Sequence, residues 1–132
     1  MSESSGQPQP PVEWFAEGII DRERKLSSYL LSSTNPEGKN KLRLWRSVFG
    51  IEEGDAELLE RLVREQLEQA EPKEQASKPP PEGSSEVIRK WELVIPRFRG
   101  PDGSVGPVLT AWALDPDVGE ASPHLMTAFP LV

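Results

Sequence analysis

The sequence of 132 residues contains no cysteine and a single histidine, His124. Without cysteine, the chain cannot form a disulfide framework, a thiolate metal site or a cysteine nucleophile. No group of His, Asp and Glu residues has the spacing of a zinc or calcium site, so we expect no metal and no cofactor. A single histidine also restricts proton transfer near neutral pH, because histidine is the usual general acid or base there.

Long apolar runs are missing as well. No stretch approaches the 18 apolar residues of a membrane span, and the N-terminus lacks the basic patch and apolar run of a signal peptide. We therefore expect no membrane partner, and the absence of cysteine fits a cytoplasmic location. The glycine patterns of nucleotide-binding loops and the Gly-x-Ser-x-Gly pattern of serine hydrolases are also absent.

Basic residues are the minority: 15 Lys and Arg face 22 Asp and Glu, and the net charge is −7. The acidic excess is concentrated in residues 51–86, which contain eleven acidic and four basic residues. This balance disfavours nonspecific binding of RNA, because affinity for phosphate comes from cations. A small local basic site remains compatible with it.

Composition divides the chain into a tail, a domain and an insertion. Residues 1–13 are rich in Ser, Gln, Gly and Pro, which predicts a disordered tail. Residues 14–132 are predicted to form a single α+β domain. Within it, residues 71–86 contain four prolines and no apolar residue larger than alanine, which predicts a flexible, proline-rich insertion.

Apolar spacing in the first half of the chain predicts about three N-terminal helices. Asp21 is expected to cap the first helix, and the second is expected to run from about Lys39 to Phe49 and end at Gly50. Asp55 is expected to cap the third helix, which has a leucine-rich stripe and a charged opposite face.

Alternating apolar residues in the second half predict strands. The segments "VIRKWELVIPRF", "VLTAWALD" and "HLMTAFPLV" form three of them, and Pro-Asp-Gly between the first two predicts a hairpin. The fold class is therefore α+β, with the helices packed on a C-terminal antiparallel meander of three or more strands.

The lysines of the second predicted helix differ in position. Lys39 and Arg43 project opposite the apolar stripe, whereas Lys41 falls at its edge, between Trp45 and Val48 in angle. Such a lysine either covers an aromatic ring with its stem while the ammonium reaches water, or lies in a groove where it meets an anion such as a phosphate.

Four further residues are candidates for a site. Thr127 is placed by strict alternation on the strand face of Leu125 and Phe129, where a backbone-bonded threonine is the alternative. His124 begins the same strand. Arg97 and Arg99 flank Phe98, and such a pair is either a substrate-binding feature for RNA or rim charge on an edge strand.

The segment "KLSSYLLSSTNPEGKNKLRLWRSVFGI", followed by an acidic amphipathic helix, resembles a small bacterial family of uncharacterised domains. Members share a Lys-Leu…Tyr-Leu-Leu element, a His-Pro-x-Gly-x-x-Lys turn, a Gly-Pro-Asp-Gly hairpin, a Val-x-Thr-x-Trp strand and a closing Thr-Ala-Tyr-Pro. Here the last three read "GPDG", "VLTAW" and "TAFP". The resemblance covers about residues 25–70 and 87–130.

That layout is similar to the barnase–EndoU–colicin–RelE class of small ribonuclease folds, found among toxin and phage nuclease-like domains. The resemblance implies metal-independent cleavage of RNA, with Lys41 and Thr127 as catalytic residues. Asn35 stands at the motif histidine and Phe129 at the motif tyrosine, so this copy lacks two of the motif's polar groups.

Two functions follow from the sequence. The first is a nuclease-like domain whose site contains Lys41 and Thr127, with His124, Arg97 and Arg99 as further candidates. The second is a noncatalytic interaction module that acts with a small partner protein, which the acidic third helix and the proline-rich insertion would suit. Asn35 and the net charge favour the second function, whereas the motif order and the position of Lys41 favour the first.

Overall fold

The computed structural model describes residues 10–75, 89–114 and 122–131. The predicted tail (1–13) and the predicted insertion (71–86) therefore lie largely outside the described residues. Where the two segments are described, the chain is ordered into secondary structure: Val12–Ala16 is a helix and Lys73–Glu74 is a strand.

Four helices precede the strands in the chain. They are α1 (Val12–Ala16), α2 (Arg22–Leu30, with π-type hydrogen bonding), α3 (Gly38–Leu44) and α4 (Ala56–Gln66). A π-type turn (Trp45–Phe49) extends α3, and a 3₁₀ turn (Leu67–Gln69) follows α4. The prediction of about three helices therefore missed α1, which is only five residues long and shows little periodicity.

Local chemistry explains most of the helix ends. The Asp21 side chain accepts a hydrogen bond from the Arg24 amide at 2.9 Å, which confirms the predicted cap of α2. Gly50 ends the π-type turn in the left-handed region, at φ 75°. Asp55 is the N-cap residue of α4, as predicted, but its side chain makes no capping hydrogen bond to that helix. Its carboxylate instead accepts from the Glu52 amide at 2.9 Å, upstream of the helix.

The four strands form one antiparallel sheet in the order β1-β2-β3-β4, which confirms the α+β class. They are β1 (Lys73–Glu74), β2 (Arg89–Arg99), β3 (Val105–Leu114) and β4 (His124–Pro130). The predicted hairpin joins β2 to β3, with Gly103 at φ 88° in its turn.

The helices cover one face of the sheet. Trp91 and Leu93 of β2, and Val108 and Trp112 of β3, are fully buried on this face. They pack in one continuous core with residues from the part of the chain that contains the helices, residues 12–69, which we call the helical half. These residues are Leu26, Leu30, Trp45, Phe49, Leu59 and Leu67. Because side chains alternate along a strand, the residues between the buried ones point to the other side, which we call the open face.

Groups from the helical half bond to the backbone of β4 and to the part of β2 that extends beyond β1. Along β4, the Ile19 amide donates to the Pro123 carbonyl, the Leu125 amide donates to the Ile19 carbonyl, and the Trp45 indole donates to Ala128. Along β2, the Gln66 side chain pairs with both backbone groups of Arg99. These contacts satisfy strand groups that would otherwise be free to pair with another chain.

Candidate functional site

The turn before α3 fixes where that helix begins. The Asn35 side-chain oxygen accepts from the Glu37 and Gly38 amides, both at 2.9 Å, and its amide donates to the Ser28 carbonyl. Asn35, at the position of the motif histidine, therefore caps α3. A Cβ on Gly38 would lie 1.7 Å from the Tyr29 carbonyl oxygen, so only glycine permits this approach of α3 to the end of α2.

This approach places Lys41 beside Tyr29. The Lys41 ammonium donates to the Tyr29 hydroxyl at 2.9 Å and lies 5.1 Å from the centre of that ring. On its other side it lies 5.5 Å from the centre of the Phe129 ring, on β4. Lys41 is half-buried, as its angle on the helix predicted, and two aromatic rings hold it.

The Lys41 ammonium lacks an acidic partner among the described residues. No carboxylate of a described residue lies within ion-pair distance of it, although the chain as a whole is acidic. An ammonium has three N–H donors, and the hydrogen bonds of the described residues use only one, to Tyr29. The two remaining donors are thus available to an anionic oxygen atom.

Thr127 lies next to this cluster, but its strand face differs from the prediction. A bulge in β4 places Thr127 opposite Ala111 and Leu125 opposite Trp112, with Met126 between them. Thr127 therefore shares the open face with Phe129 and not with Leu125, which packs in the core. Its hydroxyl oxygen is inaccessible to solvent and has no hydrogen-bond partner among the described residues.

His124 lies on the open face at the far end of β4 from Phe129. It pairs with Ala113, whereas Phe129 pairs with Leu109, which is four residues away along β3. At about 3.4 Å per residue, roughly 13 Å separates the His124 and Phe129 backbones. His124 and the Phe129 ring that contacts Lys41 therefore lie toward opposite ends of β4.

Arg97 and Arg99 lie on the open face near the hairpin end of β2. Arg97 belongs to a second bulge, between Ile95 and Phe98, and Arg99 pairs with Val105. Both arginines are exposed, and β3 separates them from β4, a distance of about 10 Å across two strand spacings. The fold thus places Thr127, His124, Arg97 and Arg99 on the open face, whereas Lys41 extends from α3 to the Phe129 ring. Of the five predicted residues, only Lys41 and Thr127 lie next to Phe129.

A family model matches residues 15–132 of the chain, nearly its whole length. The chain belongs to DUF6883, a domain of unknown function. Comparison with the curated proteins and with the solved structures finds no match.

Tyr29 and Phe129 are members of the cluster in this DUF6883 domain that the sequence analysis did not assign to a site. In the sequence, Tyr29 belongs to the Tyr-Leu-Leu element and Phe129 stands at the motif tyrosine position without its hydroxyl. Their signal was present in the sequence, because the Tyr-Leu-Leu, Gly-x-x-Lys and Thr-Ala-Phe-Pro segments supply every member of the cluster. Periodicity alone could not indicate that three distant segments meet.

The open face of the DUF6883 domain is also the basic face of an acidic protein. Among the described residues of the strands, the register places Lys73, Lys90, Arg99 and one carboxylate, Glu92, on this face, and Arg97 joins them by alternation with the buried Phe98. None of these four cations forms an ion pair with a described residue. Among the described residues, the acidic excess therefore lies elsewhere than on this side of the sheet.

Two further kinds of site were sought in the described part of the DUF6883 domain. Within residues 10–75, 89–114 and 122–131, no three His, Cys, Asp or Glu side chains are grouped as a metal ion would require. Over the same ranges, no helix has the length and apolar character needed to cross a membrane.

Proposed function

We propose that this domain is a nuclease-like RNA-binding module in which Lys41 holds a backbone phosphate and RNA cleavage is slow. The observation that carries the proposal is the state of Lys41. It is a half-buried cation, fixed by two aromatic rings, with two free donors and no carboxylate partner among the described residues. A positioned cation of this kind stabilises the negative charge that develops on a phosphate during its transfer.

Tyr29 supplies the second reactive group of the proposal. Its oxygen accepts from Lys41, so its own proton remains available to a second acceptor. In metal-independent cleavage, the RNA 2′-oxygen attacks phosphorus and the 5′-oxygen leaves. Lys41 would neutralise the charge on the non-bridging oxygens, and the Tyr29 hydroxyl would protonate the leaving 5′-oxygen.

The general base is the part of the reaction that the described residues do not supply. Asn35 caps a helix and cannot accept a proton near neutral pH, and His124 lies roughly 13 Å along β4 from Phe129. Water would have to take the 2′-proton. General-base catalysis contributes about 10²- to 10⁴-fold to a rate, so its loss leaves slow turnover.

Thr127 has a supporting role in this proposal. Its hydroxyl is covered from solvent, which prevents direct contact with a substrate, and its side chain stands two residues from Phe129 on the same face. We assign it to positioning the Phe129 ring against Lys41. His124, Arg97 and Arg99 would contact RNA outside the scissile phosphate.

The direct test measures cleavage of a labelled single-stranded RNA in the presence of a chelator. We expect wild-type protein to cleave slowly, Lys41→Ala to lose at least tenfold in rate, and Tyr29→Phe to lose a similar factor while the ring contact with Lys41 remains. Lys39→Ala is the matched control, because Lys39 is exposed on the same helix. Equal cleavage by the wild type and Lys41→Ala would contradict the proposed activity.

A second candidate function is a noncatalytic protein-interaction module. Val105 and Leu131 favour it, with exposed fractions of 47% and 38% at the hairpin end of the open face. This function predicts no RNA retention by any variant. It also predicts a partner protein that binds the wild type and is lost in a Val105→Ser, Leu131→Ser double variant.

A further inference from the structure

The hairpin end of the open face continues directly from the Lys41 cluster. Phe129 on β4 pairs with Leu109 on β3, and Leu109 pairs with Val94 on β2. The three half-buried side chains therefore form one apolar row across the sheet. No helix among the described residues packs on this side, because the helices are joined to the opposite face through the core.

Cations lie at both ends of this apolar row. Lys41 stands at the Phe129 end, and Arg97 and Arg99 stand on β2 beyond Val94, toward the hairpin. Glu92, the one carboxylate that the described strand residues place on this face, lies on the other side of Val94, away from both arginines. The charge pattern is therefore positive, apolar and positive again. The apolar row itself is about 10 Å wide, the width of two strand spacings, and Arg99 lies about 14 Å further along the strands, because its partner Val105 is four residues from Leu109.

We infer that single-stranded RNA lies across the open face, with one phosphate at Lys41, bases on the Phe129–Leu109–Val94 row and later phosphates at Arg97 and Arg99. The inference deepens the proposed function, since it names the form of RNA that the same site takes. The separation of Lys41 from the arginines is too large for one phosphate group, so the ligand must be an oligonucleotide.

The apolar row selects the single-stranded form. Bases bind to apolar and aromatic side chains through their flat faces, which are accessible only when they are not stacked in a duplex. Phe129 has the one aromatic ring of the row, and one side of it already contacts the Lys41 ammonium. A duplex would bring only its phosphates to the cations and would leave the row without a partner.

Binding is measured by fluorescence anisotropy with a fluorescein-labelled 2′-O-methyl RNA of ten nucleotides. This RNA cannot be cleaved through its 2′-oxygen, so binding is separated from catalysis. We expect the Arg97→Ala, Arg99→Ala double variant to bind about tenfold more weakly than wild type. Its salt dependence, as the slope of log K against log salt concentration, should fall by roughly 1.4, which corresponds to two lost contacts with a single strand.

The matched control is the Arg24→Ala, Arg61→Ala double variant, which removes the same charge from exposed positions in the helical half. It should bind the RNA as the wild type does. If the two double variants weaken binding equally, RNA responds to net charge alone and the inference is wrong.

A second set of probes tests the apolar row. Phe129→Leu keeps an apolar side chain and removes the aromatic face, and it should weaken binding of the single strand about fivefold or more. The same RNA annealed to its complement should bind at least tenfold more weakly than the single strand. The inference would be wrong if Phe129→Leu had no effect and the protein bound the duplex, or a heparin oligosaccharide, as tightly as the single strand. The open face would then be a surface that binds anions in general.

The two proposals fail in different ways. If the protein binds the ten-nucleotide RNA with the expected salt slope but never cleaves natural RNA, the proposed cleavage is wrong and the inferred binding of RNA across the open face stands. If cleavage depends on Lys41, but the Arg97→Ala, Arg99→Ala double variant changes neither the cleavage rate nor the RNA affinity, only the inferred binding of RNA across the open face is wrong.

Discussion

The helical half and the open face of the sheet use their charges differently. In the helical half, several arginines are held by carboxylates: Arg22 contacts Glu57 and Glu60, and Arg64 also contacts Glu60. On the open face, Arg97 and Arg99 are exposed and make no ion pair with a described residue. A net charge of −7 therefore describes neither side of the molecule, and a local surface can favour an anion when the total does not.

The difference also separates structure from function. Ion pairs and hydrogen bonds in the helical half hold segments together, so substitutions there should change stability. Unpaired cations on the open face have little to hold, so substitutions there should change ligand binding. The four predictions below test this division, from the largest expected effect to the smallest.

Gly38→Ala should have the largest effect, because it disturbs the contact on which both regions depend. The new Cβ would overlap the Tyr29 carbonyl at 1.7 Å, and backbone atoms cannot move aside as a flexible side chain does. We expect a loss of about 3 kcal/mol or more in the free energy of unfolding, measured by denaturant titration. Gly54→Ala is the control: it has open space around it but a positive φ, so it should cost about 1 kcal/mol.

Arg64→Ala compared with Arg97→Ala is the sharpest test of the division. The Arg64 guanidinium donates to the Ala16 and Gly18 carbonyls at 2.7 and 2.9 Å and pairs with Glu60. Its removal should cost about 1–3 kcal/mol in the free energy of unfolding. Arg97→Ala should stay within about 0.5 kcal/mol and should weaken RNA retention instead. The division would fail if Arg97→Ala were the more destabilising of the two.

The loss of stability at acid pH should depend on Glu60. Partial burial raises its pKa, but hydrogen bonds and charge from Arg22 and Arg64 outweigh this, and the net pKa is below the usual 4.5. A carboxyl with a lowered pKa in the folded state stabilises above its unfolded pKa, and the contribution is lost as pH falls through the folded value.

Glu60→Gln should therefore flatten the fall of melting temperature below about pH 4.5 relative to wild type. Glu68→Gln, an exposed change without an ion pair among the described residues, is the control and should retain the wild-type slope. If the melting temperature of Glu60→Gln fell below about pH 4.5 as steeply as that of wild type, the ion pairs of Glu60 would contribute nothing to the pH dependence.

Thr127→Val should have the smallest effect on stability and should act in the unusual direction. The Thr127 hydroxyl is buried without a partner, which costs free energy, and valine has the same shape and a high preference for strands. We expect a melting temperature equal to or above that of wild type, with a gain of at most about 1 kcal/mol. RNA binding should be unchanged, because the hydroxyl does not reach the surface. A clear destabilisation would reveal a hydrogen bond of Thr127 with a group outside the described residues.

Much of the fold could be predicted from residue patterns. The Asp21 cap, the Gly50 stop, the Pro-Asp-Gly hairpin and the alternation of Trp91 and Leu93 are all local, and each depends on residues a few positions apart. The errors lie at two local irregularities that residue spacing does not indicate. The Asp55 carboxylate bonds back to the Glu52 amide, and the β4 bulge moves Thr127 out of the alternating pattern.

The candidate site shows the same limit. The angle of Lys41 on its helix predicted a half-buried lysine, since that angle is a property of the helix alone. The pattern could not predict that Tyr29 and Phe129 enclose the ammonium, because those residues are 12 positions before it and 88 positions after it. Nor could it predict that Arg97 and Arg99 share a face with Phe129, because the bulge and the register of three strands decide which side they project to.

The sequence by itself determined the α+β class, the positions of most caps and turns, and the one lysine at the margin of an apolar stripe. Each of these follows from backbone geometry and the burial of apolar side chains over short separations. Only the tertiary structure decided that Lys41 has aromatic neighbours and no carboxylate partner among the described residues. It also decided that Arg97 and Arg99, which form no ion pair with a described residue, share the open face. Those facts depend on which distant segments meet, because residues that are far apart in the sequence come within ion-pair distance only when the chain has folded.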